Sequence, residues 1–233
     1  MDIKIIASGS TGNSYLISDG KTRLLIEAGV PLAMMQRGCG YTLTTCAGCL
    51  ISHSHGDHAG HAKAILNKGV DIYTSAGTIG ATGLSGHRVH AITSRELFSV
   101  GTFECMGFDV DHDAPEPFGF LLRSTETREK LLYFTDTPML RYQFRGITHM
   151  MAECNYDRET LMSAVECGST PVESVHRLCD SHMGLDTLLA ILAANDLSSL
   201  RKIYLIHLSS RHANEQRIKK AVQAATGVEV IVC

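Results

Sequence analysis

A chain of 233 residues suits one domain with a large core or two small ones, and length alone does not choose between them. Hydrophobic residues make up 44% and charged residues 19%, which excludes a disordered chain; a formal net charge of −3 weakens any case for broad, non-specific DNA binding. No run approaches the roughly 20 apolar residues a membrane span needs, so no membrane partner is expected.

The chain opens with Lys4–Ala7, Ser14–Ser18 and Arg23–Ile26, short runs rich in apolar and β-branched residues, separated by the turn sequences GSTGN and DGK. The first run lacks a basic start and a cleavage site and reads as a strand, not a signal peptide. Eight irregularly spaced cysteines without an export signal imply reduced thiols and a cytoplasmic protein. Cys46-Ala-Gly-Cys49 has no second CxxC to complete a structural zinc site and reads as ordinary thiols. Leu50–Ser52 continues the strand pattern and runs into Ile51-Ser-His-Ser-His-Gly-Asp-His-Ala-Gly-His61.

This stretch carries chemistry. Alternate residues of an extended segment point the same way, so His53 and His55 can reach one ion. The chain then turns at Gly56, and Asp57 and His58 open a helix where they can face a second ion. Imidazole and carboxylate together suit zinc, manganese or iron. The bland alternative is a solvated, accidental His-rich tract.

Downstream, a helix is expected over Ala59–Asn67, a strand over Asp71–Thr74 and a weak helix over Ala76–Ala81. Strands follow at Thr102–Val110, Gly119–Arg123 and Lys130–Phe134. The last third reads as helix at Asp157–Val165, Pro171–Leu178 and Leu185–Ala194. Strand Arg201–His207, helix Asn214–Ala225 and strand Val228–Val232 close the chain. The order β-rich, helical, β-rich, helical predicts an α/β, four-layer αββα sandwich, with residues 1–233 as one domain.

Two ions need more than four ligands. His112, Asp136 and His207 each end an apolar strand, where a rigid element can hold a ligand. One such residue is usually a turn former; three beside the cluster shift the balance toward ligands.

The succession resembles the metallo-β-lactamase superfamily, whose five motifs match in order along nearly the whole chain: Glu27 in LLIEAG, His53 to His58, His112, Asp136 and His207. The resemblance implies one divalent ion (Zn²⁺ or Mn²⁺) on His53, His55 and His112, and a second on Asp57, His58 and His207, with Asp136 shared. Glu27 stands where the family usually has Asp and implies support of the cluster, not metal binding. The segments ASGSTGNSYLI, HDAPEPFGF and IHLSSRHANE look like the YycJ-type exonuclease-like branch, and His207-Leu-Ser and Ser181-His-Met-Gly look like RNase Z. By that likeness His182 is a proton donor and Asp57 orients a hydroxide held between the ions. No basic, glycine-rich arm of the kind that grips tRNA is seen. Gly9-Ser-Thr-Gly-Asn-Ser14 reads as a turn and, by resemblance, lies near the site mouth.

The expected function is a phosphodiesterase or nuclease acting on DNA. The rivals are cyclic-nucleotide cleavage, thioester or lactone hydrolysis on the same fold, and a non-catalytic metal-binding module. The expected partner is nucleic acid or a nucleotide, and an oligomer is compatible with the sequence. Arg123, Arg128, Lys130, Arg141, Arg145, Arg201, Lys202 and Arg211 are candidates for a basic groove. No individual substrate-binding residue is assigned.

Overall fold

The computed structural model describes residues 1–233. Its contacts divide the chain into two compact units: Met1–Asp109 with Ala114–Glu129, and Val110–Asp113 with Lys130–Cys233.

The N-terminal unit is built on a six-stranded sheet, in chain order: β1 (Asp2–Ala7), β2 (Ser14–Ser18), β3 (Arg23–Ile26), then, after helix α1 (Leu32–Gly38), β4 (Gly48–Leu50). Helices α2 (Gly56–Ala59) and α3 (Ala62–Leu66) lead to β5 (Ile72–Thr74). Helix α4 (Ala76–Thr82) leads to β6 (Val89–Ala91). The first three strands are antiparallel neighbours, and β3 to β6 pair in parallel. Parallel pairing needs crossovers, and the helices between these strands supply them. Leu16, Leu25, Cys49, Ile51 and Ile72 bury one apolar layer with Met35 and Ile65. On this unit lies a second, antiparallel ladder of β7 (Leu97–Val100), β8 (Phe103–Asp109) and β9 (Phe118–Ser124).

The C-terminal unit is a parallel ladder: β10 (Lys130–Phe134), β11 (His149–Glu153), then helices α5 (Arg158–Glu166), α6 (Val172–Ser181) and α7 (Leu185–Ala194). It continues through β12 (Lys202–Ile206), helix α8 (Glu215–Thr226) and β13 (Glu229–Val232). The runs KLLYF and KIYLI are almost wholly buried, as parallel strands covered on both faces should be.

Two expectations need correction. The helix expected over Ala59–Asn67 is two short helices, because the His61 N–H turns aside to donate to the Ala28 carbonyl at 2.8 Å. The strand β11 falls in a stretch that the sequence left unassigned: His-Met-Met-Ala-Glu lacks β-branched residues and alternation, yet all five residues are buried. No helix is long and apolar enough to cross a membrane. All eight cysteines are free thiols, and Cys39, Cys46 and Cys49 are packed in the N-terminal core, as ordinary buried thiols would be.

Candidate metal centre

Each unit gathers metal-binding side chains at the C-terminal ends of its parallel strands, the edge where α/β sheets commonly hold ligands.

In the N-terminal unit, β4 ends at Leu50, and five residues outside helix or strand lead from it to α2. His55 is the residue that precedes α2, in extended conformation (φ −63°, ψ 151°), so Asp57 and His58 fall in the first helical turn. The His53 ring centroid lies 4.8 Å from that of His55 and 4.2 Å from that of His58. Such crowding of imidazoles is unfavourable if they are charged and suits neutral rings turned toward a cation. His53 Nδ1 is 2.9 Å from the Ser52 hydroxyl, which orients its ring.

Glu27 follows β3 and supports this segment. Its buried carboxylate accepts the Ser52 N–H at 3.3 Å on both oxygens and lies 3.5 Å from His58 Nδ1. Asn13, in the glycine-rich turn, brings its amide nitrogen to 3.1 Å from His58 Nε2, and its backbone N–H donates to the Asp57 carbonyl at 2.8 Å. The turn therefore packs on the cluster. Sequence reasoning singled out its glycines and passed over Asn13. Gly29 is required beside it, because a Cβ there would sit 1.7 Å from the Asp57 carbonyl oxygen.

In the C-terminal unit, Asp136 follows β10, Glu153 ends β11 and His207 follows β12. One ligand atom each from Asp136, Glu153, His182 and His207 lie within 4.8 Å of one another. His182 terminates α6, and its Nδ1 is 2.6 Å from Glu153 Oε1 and 3.0 Å from Asp136 Oδ1. His207 Nδ1 is 3.4 Å from Asp136 Oδ1 and 3.3 Å from Glu153 Oε1. His112, on the Val110–Asp113 segment, has its ring centroid 6.3 Å from that of His182. Neighbouring Asp111 forms a bidentate ion pair with Arg141, at 2.7 and 2.9 Å.

Burial works against a charge on His182. Hydrogen bonds that His182 donates to Asp136 and Glu153, and the negative charge of both carboxylates, outweigh it and raise the imidazole pKa to about 10. Two buried carboxylates converging on the same space call for positive charge there; the His182 imidazolium supplies part of it, and Asp136 and His207 are donors that suit a divalent ion. The expectation joined Asp136 and His207 as ligands of one site and gave His182 a separate role beside it; the fold brings all three into one cluster. It adds Glu153, whose second oxygen accepts the Thr137 and Met183 N–H groups at 3.2 and 3.3 Å. Its signals in the sequence were an acidic residue closing the apolar run Met150-Met-Ala and the likeness of Glu153-Cys-Asn-Tyr to a YycJ-type segment, neither of which gives it a role.

Backbone strain marks the same positions. Glu27, Asp136 and His207 have φ of 65°, 48° and 54°, in the left-handed region that residues with a Cβ avoid at a cost of about 1–3 kcal/mol each. Each is the turn that ends a parallel strand, so the strain aims a side chain inward from the sheet edge. Among the candidate groove residues, Arg123 pairs with Glu104 at 2.8 Å, Arg141 with Asp111, and Lys202 with Glu229 at 3.0 Å. Three of those charges are thus locally balanced.

Residues 22–208 match the family model described as the β-lactamase superfamily domain. The exodeoxyribonuclease YycJ of Bacillus anthracis is 26% identical over 227 residues, covering 90% of this chain and 83% of that protein. The metallo-β-lactamase-fold protein YhfI of Bacillus subtilis superposes with a TM-score of 0.72 at 16% identity, covering 99% and 95% of the two chains. The short form of human tRNase Z does so with a TM-score of 0.64 at 14% identity, covering 100% and 96%.

Proposed function

Because this chain belongs to the β-lactamase superfamily, and is a hydrolase of the metallo-β-lactamase fold with the α/β sandwich that implies, we propose that it is a two-metal phosphodiesterase whose substrate is DNA. The observation that carries this reading is His182. A proton donor held on Nδ1 by a buried carboxylate, beside a strand-end cluster of metal-binding groups, suits cleavage of a bond whose leaving oxygen needs a proton. The choice of DNA is supported by the likeness to YycJ, which is named an exodeoxyribonuclease.

In this reading His53, His55 and His112 form one ligand set, Asp57, His58 and His207 the other, and Asp136 is shared. Two divalent ions, zinc or manganese, would supply an acidified water and neutralise charge building on the phosphate oxygens. The residues do the rest. Asp57 orients the attacking water besides binding metal. Glu153 fixes His182 Nδ1, which leaves Nε2 as the nitrogen that delivers a proton to the leaving oxygen. Glu27 and Asn13 hold the segment that presents the histidines. This reading sets the protein in the cytoplasm, a location that its eight free thiols support.

The test is one panel of substrates assayed with manganese and with zinc: linear single- and double-stranded DNA, RNA, a cyclic nucleotide and a thioester. Release of nucleotides from DNA, with the highest kcat/KM of the panel, is the expected result. Turnover confined to the cyclic nucleotide or the thioester overturns the reading.

A further inference from the structure

A second feature of the C-terminal unit lies outside the metal-binding cluster. A cavity of about 260 Å³ opens between α5, α6 and the first turn of α7. Leu161 and Met162 of α5 form one wall, and Val175 and Cys179 of α6 form another. Its remaining boundary is Tyr156 against Gly184. A Cβ on Gly184 would lie 2.6 Å from the Tyr156 ring, so glycine is what admits the ring at this place.

Three observations set this cavity apart from a packing fault. First, α6 covers it without a single fully buried residue: in the apolar stripe of Val172, Val175, Leu178 and Cys179, the first is exposed and the other three are half-buried. Val172 at 62% and Met162 at 45% stand exposed beside it. An apolar stripe left this open gains stability when something fills the space beneath it. Second, the Tyr156 ring is held in place. It borders the Gly184 backbone, and the Tyr156 carbonyl accepts the Leu185 N–H at 2.9 Å. Third, the rim carries one cation and one anion, Arg158 and Asp186, that form no ion pair with each other or with any other residue. Both also border an open depression of about 400 Å³ that continues the cavity outward.

An apolar slot with a fixed aromatic ring takes a flat ring. An unpaired carboxylate at the rim takes an N–H donor on that ring, and an unpaired guanidinium takes an acceptor or a phosphate. One ligand class combines all three, a nucleobase on its sugar-phosphate. The location matters as well: Gly184 is two residues beyond His182, and Asn155 and Tyr156 are bonded to Met183 and Leu185 as a short parallel bridge. A base seated here is held by the segment that carries the proposed proton donor.

We propose that this cavity is a subsite that grips one unstacked nucleobase of the substrate strand, against Tyr156 and with Asp186 accepting from the base's amino group. This rests on the reading that the substrate is a nucleic acid. It further commits the site to adenine, cytosine or guanine over thymine, whose one ring N–H is flanked by two carbonyl oxygens that would face the Asp186 carboxylate.

The test uses the purified, metal-loaded protein and the four deoxynucleosides as probes, which carry no phosphate for a metal centre to hold. Binding is read by ligand-observed NMR. Saturable binding of the amino-bearing nucleosides, stronger than that of thymidine, is expected. Tyr156→Ala should weaken it about tenfold or more, the size of a lost base–aromatic stack, and Tyr156→Phe far less. Asp186→Asn should level the preference against thymidine. Cys179→Phe, which fills the cavity from α6, serves if Tyr156→Ala does not fold, and should abolish binding. Binding that persists in the filled variant, or no binding by the wild-type protein, overturns the proposal. Nucleoside binding as expected with no cleavage of DNA would leave the subsite standing and remove the nuclease reading; cleavage without nucleoside binding would do the reverse.

Discussion

The two clusters solve one problem in opposite ways. In the N-terminal unit, four side chains of metal-ligand type come from six consecutive residues, His53 to His58, and the fold has only to hold one segment still. In the C-terminal unit the groups come from the ends of β10, β11, β12 and α6, spread from Asp136 to His207, and the parallel ladder assembles them. Each cluster has a buried glutamate that holds it by backbone N–H groups: Glu27 on Ser52, and Glu153 on Thr137 and Met183. The difference lies in what else the glutamate touches. Glu27 lies 3.5 Å from His58, whereas Glu153 makes a short bond to His182, a residue proposed to act on substrate. A local cluster tolerates an indirect support; a dispersed one places its support in the chemistry.

That contrast can be broken by mutation. The largest effect is expected at His182. His182→Ala should leave the metal content unchanged and lower turnover of a natural phosphodiester by about 10²- to 10⁴-fold, the usual worth of a positioned acid. The loss should shrink on a substrate with a nitrophenolate leaving group, which departs without a proton. Equal losses on both substrates, or a missing ion, would assign His182 to the metal instead, as its place among Asp136, Glu153 and His207 would then imply.

A smaller effect is expected at Glu27. Glu27→Gln keeps the shape but weakens the carboxylate's hold on Ser52 and His58, so metal affinity should fall by about 10- to 100-fold without loss of either ion. Complete loss of one ion on titration would make Glu27 a ligand and refute the supporting role.

The smallest concerns the scaffold away from both clusters. Burial of Asp19 raises its pKa, but hydrogen bonds from the Thr102 hydroxyl, the Thr22 N–H, the Ser124 hydroxyl and the Lys21 N–H outweigh this and lower it to about 2. An unfolded Asp titrates near about 3.9. The stabilisation is therefore complete above that value and is lost as pH falls toward 2. Asp19→Asn should lower the melting temperature at pH 7 by about 2–4 °C, the shift that about 1 kcal/mol produces in a chain this long, and the two proteins should converge near pH 2. Parallel melting curves from pH 7 to pH 2 would show that the carboxylate contributes nothing.

The same contrast explains what could be read from the sequence. The histidine segment was legible because its residues are contiguous and follow an apolar strand. Asp136 and His207 were legible because KLLYF and KIYLI are strong parallel-strand sequences with a polar residue just past each end. Helix α7 was legible to its bounds, Leu185–Ala194, because its apolar face is uninterrupted. Glu153 was not, since β11 is a strand by its neighbours and not by its own residues: His-Met-Met-Ala-Glu becomes extended because β10 and β12 pair with it on either side. Asn13 was hidden for another reason. Its turn chemistry was sufficient to explain its presence, and only its 3.1 Å approach to His58 shows a second use. The left-handed backbone at Glu27, Asp136 and His207 was likewise invisible, because sheet-edge geometry imposes it and the residue type does not.

The central claim is that the contiguous and the dispersed cluster act together on two ions. Elemental analysis of the purified protein, after reconstitution with excess zinc or manganese and removal of loosely bound metal, tests it most directly. Two ions per chain are expected, with fewer in both Asp136→Asn and His207→Ala. A stoichiometry that stays at or below one in the wild-type protein would contradict it.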